Sequence, residues 1–248
     1  MSYKTNQERT ADYLARFDRS KVLTSLVSDS PVIFDVGANV GQTVESFLNI
    51  WPKAEIHCFE PMEKAFADLK KFVLDQGYDN VVLNNFALSD TRSESKKFYY
   101  HKTQPMLGGF TAINPNSKDS VAINDPKSAG MKPDEFINNI NDEITVRTET
   151  LDYYMGYNGI HHVDILKMDI QGGEPNALKG AKERLGNFDV VLTELNFYDL
   201  YKTQVSFYDI EQYLKPHGFK LFDISEHTSI LQLINSLTHP PITSHRMP

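Results

Sequence analysis

The segment that decides the fold is PVIFDVGANVGQ, residues 31–42. Its first four residues are apolar, and they lead to an acid, Asp35, and then to two glycines, Gly37 and Gly41, where a helix is expected to begin. A buried strand that runs into a glycine turn and a helix N-terminus is the usual construction of a nucleotide site in an α/β sheet. The segment therefore predicts such a site at the end of the first strand.

A second strand-like segment follows at residues 54–59, with the sequence AEIHCF. It ends in Glu60, 19 residues beyond Gly41. A carboxylate at the end of the second strand is well placed to accept hydrogen bonds from both hydroxyls of a ribose. We therefore expect Glu60 to bind a nucleoside.

The spacing of the glycines narrows the choice of nucleoside. A dinucleotide fingerprint starting at Gly37 would require small residues where this chain has Asn39 and Gln42, and no GxxxxGK[ST] motif for a triphosphate is present. A cofactor with a ribose and no phosphates remains, and S-adenosylmethionine fits that description. The alternative is an ordinary strand-to-helix turn in which the glycines only relieve backbone strain.

Each predicted cofactor contact has a chemical reason. Gly37 would let the backbone approach the methionine moiety, Asp35 would hold the loop or reach the ammonium group through water, and Glu60 would accept the ribose diol. The full set of positions that we predict to bind the cofactor is Asp35, Gly37, Asn39, Gly41, Gln42, Glu60, Met62 and Ala87.

Five segments carry a resemblance to a known family: FDVGANVGQ (34–42), CFEP (58–61), NNFALSD (84–90), TLDYY (150–154) and DILKMDIQGGEPNALKGA (164–181). In kind and in order they resemble the FkbM family of S-adenosylmethionine-dependent methyltransferases, over roughly residues 31–100 and 144–195. The chain departs from the family pattern at one position, where Gln171 stands in place of an acid.

The resemblance implies a function as well as a fold. FkbM-like enzymes methylate hydroxyls on sugars of polysaccharides, glycolipids and macrolide-type natural products, so a small-molecule or glycan acceptor is expected. Two alternatives stay open: an N-methyltransferase that acts on a small metabolite, and a cofactor-binding protein without turnover. The oligomeric state is also open.

Composition limits the class of protein. At 248 residues the chain is long enough for one large α/β domain, and it contains no apolar run of the roughly 20 residues that a bilayer crossing needs. Polar and charged residues in the first 17 positions argue against a signal peptide, and the single cysteine, Cys58, cannot form an intrachain disulfide. These features predict a cytoplasmic protein.

Charge and cysteine placement argue against nucleic acid substrates. A formal net charge of -8 without a basic stripe would repel a polyanion. Methylation at C5 of a pyrimidine needs a cysteine nucleophile, whereas Cys58 lies within the predicted second strand. The [DN]PP[YFW] segment common in exocyclic-amine methyltransferases is replaced here by residues 169–172, DIQG.

Alternating strands and helices predict an α/β protein with a doubly wound and mostly parallel seven-stranded sheet. The resemblance implies that this sheet belongs to a class I methyltransferase (Rossmann-like) fold. An N-terminal helical segment (1–30) precedes the methyltransferase domain (31–237), and a tail (238–248) follows. The predicted strands are 31–36, 54–59, 80–86, 163–169, 188–194, 219–225 and 229–234. The predicted helices are 41–50, 62–76, 174–185 and 206–215, after an N-terminal amphipathic stretch at 7–28 with Tyr13, Leu14, Phe17, Leu23, Leu26 and Val27 on its apolar face.

An insertion at residues 101–143 interrupts this pattern. Short strands at 96–100 and 144–148 flank it, and we expect them to pair as an antiparallel ribbon. A loop of this length is usually functional or disordered. We predict a lid over the acceptor, with Met106, Leu107, Phe110 and a helix near 133–140 closing over the substrate; the alternative is a mobile surface insertion.

Candidates for the chemistry lie at the ends of the fourth and fifth strands. Asp169, Glu194 and Asn196 offer oxygen ligands for Mg²⁺ or another divalent cation that would hold the acceptor oxygen. Asp169 is also a candidate general base, as is His101 at the start of the insertion. The alternative is that Asp169 hydrogen-bonds the turn and Glu194 caps a loop.

Overall fold

The computed structural model describes residues 19–117, 138–195, 199–224 and 230–235. The helices of these residues are α1 Arg19–Leu26, α2 Gln42–Ile50, α3 Glu63–Gln76, α4 Leu151–Tyr157, α5 Glu174–Lys179 and α6 Phe207–Leu214. The strands are β1 Val32–Val36, β2 Glu55–Phe59, β3 Val81–Asn84, β4 Ala87–Leu88, β5 Ser93–Tyr100, β6 Asp142–Glu149, β7 Val163–Met168, β8 Phe188–Glu194, β9 Phe219–Ile224 and β10 Ile230–Asn235.

Seven strands form the main sheet in the order β3-β2-β1-β7-β8-β10-β9. Strands β3, β2, β1, β7 and β8 are parallel, and β10 is antiparallel to both of its neighbours. The predicted mostly parallel seven-stranded sheet is therefore confirmed. The order reverses between β1 and β7, and in such sheets ligands bind outside the carboxyl ends of the strands at that point.

Both faces of the sheet are buried, which explains the nearly continuous apolar strands. Phe34 packs into one core cluster with Met155, whereas its neighbour Ile33 packs into the other with Trp51. Leu23 of α1, one of the residues on the predicted apolar face of the N-terminal stretch, joins this second cluster. Tyr13, Leu14 and Phe17 lie outside the described residues.

A smaller sheet stands beside the main one in the order β4-β6-β5. The predicted antiparallel ribbon is confirmed, since β5 pairs with β6 from Lys96 opposite Val146 to Tyr100 opposite Asp142. The predicted strand 80–86 is wrong at its end. It stops at Asn84 because the chain turns at Asn85, whose side chain donates to the carbonyl oxygen of Glu60, and it re-enters the smaller sheet as β4.

Two helix predictions also need correction. The helix predicted over 174–185 ends at Lys179; beyond it the N–H of Ala181 donates to the carbonyl oxygen of Leu178, three residues back, and the carbonyl oxygen of Gly180 accepts from the N–H of Asp152. Helix α4 was not among the predicted helices. Its cap, Thr150, accepts a hydrogen bond from the backbone N–H of Tyr153, and such a cap is a readable helix signal.

Residues 118–137 of the insertion, Asn196 and the tail at 238–248 lie outside the described residues. Within the described ranges, no helix combines the length and the apolar character that a membrane crossing requires.

Candidate active site

A cavity of about 170 Å³ lies at the carboxyl ends of β1, β2 and β7. The turns after β1 and β2 form one side, and the smaller sheet and the start of the insertion form the other. Among the predicted cofactor positions, Gly37, Asn39, Glu60, Met62 and Ala87 line the cavity, whereas Asp35, Gly41 and Gln42 do not.

Glu60 is held by the backbone. Its Oε2 accepts a hydrogen bond from the N–H of Asn39 at 3.0 Å, and its Oε1 accepts one from the N–H of Met62 at 2.9 Å. Burial raises the pKa of Glu60, against the opposing effect of these two bonds. An ionised carboxylate has about four acceptor sites, so each oxygen keeps capacity for a further donor. The fixed carboxylate therefore fits a ribose diol.

The structure assigns Gly37 a role in addition to the predicted one. Its φ is 81°, and a Cβ there would lie 2.0 Å from the backbone oxygen of Asp169. The glycine is therefore needed where the loop after β1 meets the loop after β7, and not only for approach of a cofactor. Gly41 is similar, because its φ is 102° and an added Cβ would lie 2.6 Å from the ring of Phe72.

Asp35 lies beneath the cavity and is fully buried. Its Oδ1 is 3.0 Å from Nζ of Lys167, which also donates to the carbonyl oxygen of Gly37 at 3.3 Å. Burial works against the charge on Lys167, but the carboxylates of Asp35 and Asp169 outweigh it and raise the pKa of that lysine. This ion pair holds the glycine loop, which is one of the two roles predicted for Asp35.

The opposite end of the cavity contains an amide between two acids. Nε2 of Gln171 donates to Oδ1 of Asp169 at 2.8 Å and to Oε2 of Glu194 at 3.0 Å. The hydroxyl of Tyr201 donates to Oε1 of Gln171 at 2.6 Å, which fixes the direction of the amide. Gln171 and Tyr201 were missed as site residues, although the departure at position 171 was a signal for the first of them.

The two acids differ in environment. Asp169 lines the cavity and its side chain keeps 43% of its exposure, whereas Glu194 lies behind it against a small polar recess. Burial and the negative charge of Asp169 raise the pKa of Glu194. Glu174 accepts a hydrogen bond from the N–H of Ile170 at the start of α5, and burial raises its pKa to about 7.

The predicted metal site does not fit this geometry. A cation shared by Asp169 and Glu194 would have to replace the N–H groups of Gln171 that now lie between them. Asn196, the third predicted ligand, lies outside the described residues. A separate group that could hold a cation, His162, Asp164 and Asp189, stands at the amino ends of β7 and β8, away from the cavity.

His101 is not placed to act as the predicted general base. Its ring is fully buried and does not line the cavity. Its Nδ1 accepts hydrogen bonds from the backbone N–H groups of Thr103 and Gln104 at 3.2 and 3.0 Å. The histidine therefore stabilises the turn that begins the insertion, and the sequence alone did not show that this turn is buried.

The described part of the insertion is docked on the cavity. Met106, Leu107 and Phe110 all line it, as the lid prediction requires. The turn is anchored on both sides, since Gly109 exchanges two backbone hydrogen bonds with Tyr99 at 2.8 and 2.9 Å. Further along, the backbone N–H of Asn114 donates to the carbonyl oxygen of Leu200 at 2.7 Å.

Comparison with known proteins agrees with this site. Residues 35–221 match the Methyltransferase FkbM domain. The chain belongs to the FkbM methyltransferase family. The match contains both ends of the cavity, Glu60 and Asp169, and membership implies that S-adenosylmethionine is the methyl donor.

Relatives of this FkbM methyltransferase include the 2-O-methyltransferase NoeI of Sinorhizobium fredii, 29% identical over 175 residues. This alignment covers 70% of the chain and 67% of NoeI. The methyltransferase sdnD of Sordaria araneosa is 26% identical over 163 residues, which are 62% of the chain and 61% of sdnD.

A crystal structure of an FkbM methyltransferase from Methylobacillus flagellatus superposes with a TM-score of 0.51 at 13% identity, over 89% of this chain and 49% of that one. At this identity the likeness shows the fold alone. Together with the strand order, it confirms the predicted class I methyltransferase fold.

Proposed function

We propose that the protein is an S-adenosylmethionine-dependent O-methyltransferase that acts on a hydroxyl of a sugar, glycan or natural-product acceptor. The observation that carries the proposal is a single cavity with a different carboxylate at each end. Glu60 is held by two backbone N–H groups at one end, and Asp169 faces the cavity at the other.

Bound S-adenosylmethionine would supply an electrophilic methyl group. Glu60 would orient the donor by accepting the two ribose hydroxyls, while Met62 and Ala87 line the wall beside it. Gly37 and Asn39, both with positive φ, shape the floor of the cavity. Much of the rate in such a reaction comes from the alignment of donor and acceptor, which a preformed cavity provides.

A hydroxyl acceptor must lose its proton as it attacks, and Asp169 is the group placed to accept it. The carboxylate faces the cavity while Gln171 holds one of its oxygens. Met106, Leu107 and Phe110 cover the cavity and reduce the access of water to the reacting oxygen. The relative NoeI, described as a 2-O-methyltransferase, supports an oxygen acceptor.

The test is a methyl-transfer assay with labelled S-adenosylmethionine and a panel of oligosaccharides, natural-product alcohols and amines, read by mass spectrometry. Transfer to a hydroxyl that Asp169→Asn abolishes would support the proposal. Transfer to amines alone would overturn it. Binding of S-adenosylhomocysteine by the same samples shows whether an inactive variant is folded.

A further inference from the structure

A second cavity, of about 300 Å³, lies on the other side of residues 84–88. Phe86 lines this second cavity, whereas the next residue, Ala87, lines the methyl-transfer cavity. The two cavities are therefore neighbours that share a wall, and the second one is not part of the site described above.

Two exposed tyrosines on α4 form one edge of the second cavity. Tyr153 and Tyr157 are one helical turn apart, and their rings stack with centroids 5.8 Å apart and an interplanar angle of 21°. They keep 39% and 78% of their exposure. The guanidinium carbon of Arg92 lies 3.5 Å from the ring centroid of Tyr153, so that ring is held between a cation and its neighbour. Because both faces of the Tyr153 ring are then covered, the aromatic face that the stack offers to a ligand is the outer face of Tyr157.

Charged groups lie beside the stack: Arg147 and Glu149 line the second cavity, and Arg92 contacts both Glu149 and the ring of Tyr153. Glu149 accepts hydrogen bonds at 2.7 Å from Nε of Arg92 and from a terminal nitrogen of Arg147. Burial opposes ionisation of Glu149, but the two arginines outweigh it and lower its pKa. Two guanidinium groups carry about ten N–H donors, and one carboxylate has about four acceptor sites. The cluster therefore has one net positive charge and more donors than Glu149 can accept.

We propose that this second cavity binds a non-reacting pyranose ring of the acceptor glycan; the inference rests on the proposed function. A pyranose has an apolar C–H face that stacks on an aromatic ring, and an edge of hydroxyls that accept from guanidinium groups and donate to carboxylate and amide oxygens. Tyr157 offers the aromatic face, and Arg147 and Glu149, which line the same cavity, offer the polar groups. Asn84 and Asn158, which also line the cavity, add amide groups.

Binding in the second cavity would stabilise the bound substrate and the transition state to the same extent. A sugar unit held away from the reacting hydroxyl is bound equally well before and during transfer, so it lowers KM and leaves kcat unchanged. A nucleotide is a poorer occupant, because a single net positive charge would face two or more phosphate charges on a chain whose net charge is -8.

The test uses Tyr157→Ala, with Tyr208→Ala as the matched control, because Tyr208 is another exposed tyrosine, on α6. Saturation-transfer NMR with cellotetraose, chitotetraose and maltotetraose, in the presence of S-adenosylhomocysteine, measures binding without any methyl transfer. We expect the wild type and Tyr208→Ala to bind at least one tetrasaccharide, and Tyr157→Ala to bind it about fivefold to tenfold more weakly. S-adenosylhomocysteine affinity should be equal in all three.

Two results would overturn the inference: no tetrasaccharide binds to the wild type, or Tyr157→Ala binds as tightly as the control. Binding of ADP, and not of the sugars, at the second cavity would also overturn it. For an oligosaccharide that is methylated, Tyr157→Ala should raise KM and preserve kcat. Because binding is measured separately, a protein that binds the sugar but transfers no methyl group would contradict the proposed function and leave the subsite in place.

Discussion

The two carboxylates at the ends of the cavity are held in different ways. Glu60 accepts from two backbone N–H groups that belong to the turns after β1 and β2. Asp169 is held by the side chain of Gln171, which depends in turn on Tyr201 from a distant part of the chain. The first arrangement follows from local backbone geometry, whereas the second requires three side chains to meet. We therefore expect the cofactor end to tolerate changes elsewhere and the acceptor end to be sensitive to them.

The largest expected effect is a loss of turnover when Asp169, at the acceptor end of the cavity, is changed. Asp169→Asn removes the proposed proton acceptor while keeping the size of the side chain and one oxygen that can accept from Gln171. Turnover should fall by about 10²- to 10⁴-fold, with S-adenosylhomocysteine affinity changed by less than about threefold. Single-turnover methyl transfer and calorimetry measure the two quantities. Asp68→Asn, at an exposed position on α3, is the control. Equal activity of the two variants would remove Asp169 from the mechanism.

The complementary change acts on the cofactor end. Glu60→Ala removes the hydrogen bonds that the ribose hydroxyls would donate to the charged carboxylate. These bonds are worth about 2–4 kcal/mol in total, which corresponds to a loss of about 30- to 1000-fold in affinity for S-adenosylhomocysteine. Calorimetry on Glu60→Ala and on Asp68→Ala tests this. If a folded Glu60→Ala protein keeps the wild-type dissociation constant, the ribose assignment is wrong.

The third prediction concerns the side chains that hold Asp169. Gln171→Leu removes the amide between the two acids, and Tyr201→Phe removes the hydroxyl that orients it. Each should lower kcat by about tenfold, and the double variant should be no worse than the more affected single variant, because residues in one network are not additive. If the reduction of kcat in the double variant equals the product of the two single reductions, Tyr201 acts independently of Gln171.

The smallest effect is on stability and depends on pH. The pKa of Glu194 is raised in the folded protein, so the folded state binds more protons than the unfolded chain between the ordinary glutamate pKa and the raised one. The contribution of Glu194 to the stability of the wild type therefore declines as pH rises through that window. Glu194→Gln removes this decline, and its free energy of unfolding relative to wild type should increase by about 1–2 kcal/mol between about pH 5 and about pH 9.

Urea unfolding at the two pH values measures this change. Glu211→Gln, on the partly exposed surface of α6, is the control and should show no such trend. A constant difference between Glu194→Gln and wild type across the range would mean that Glu194 is ionised in the folded protein at both pH values.

The cofactor end was largely predictable because its parts are close in sequence. Strand β1, its glycine turn and the acid after β2 lie within residues 31–60, and hydrophobic periodicity together with glycine spacing identifies them. Even here the reason for Gly37 came only from the structure, since its neighbour is the backbone of Asp169 on a remote loop.

The acceptor end was predictable only in outline. The positions of Asp169 and Glu194 at strand ends follow from the chain, but their relation does not, because Gln171 and Tyr201 meet through a loop after β8 that packs on the insertion. His101 shows the same limit. Its place at the start of the insertion suggested a base, and only the burial of that turn shows a ring that accepts backbone hydrogen bonds.

By itself the sequence determined the alternation of strands and helices, the parallel sheet and the position of the acid that we propose to accept the ribose hydroxyls, because these depend on residues close together in the chain and on backbone geometry. The tertiary structure decided which side chains surround Asp169, that the insertion is docked on the cavity, and that Tyr153 and Tyr157 stack at a second cavity. The physical reason is that contacts between distant segments depend on packing and burial, which no local pattern specifies.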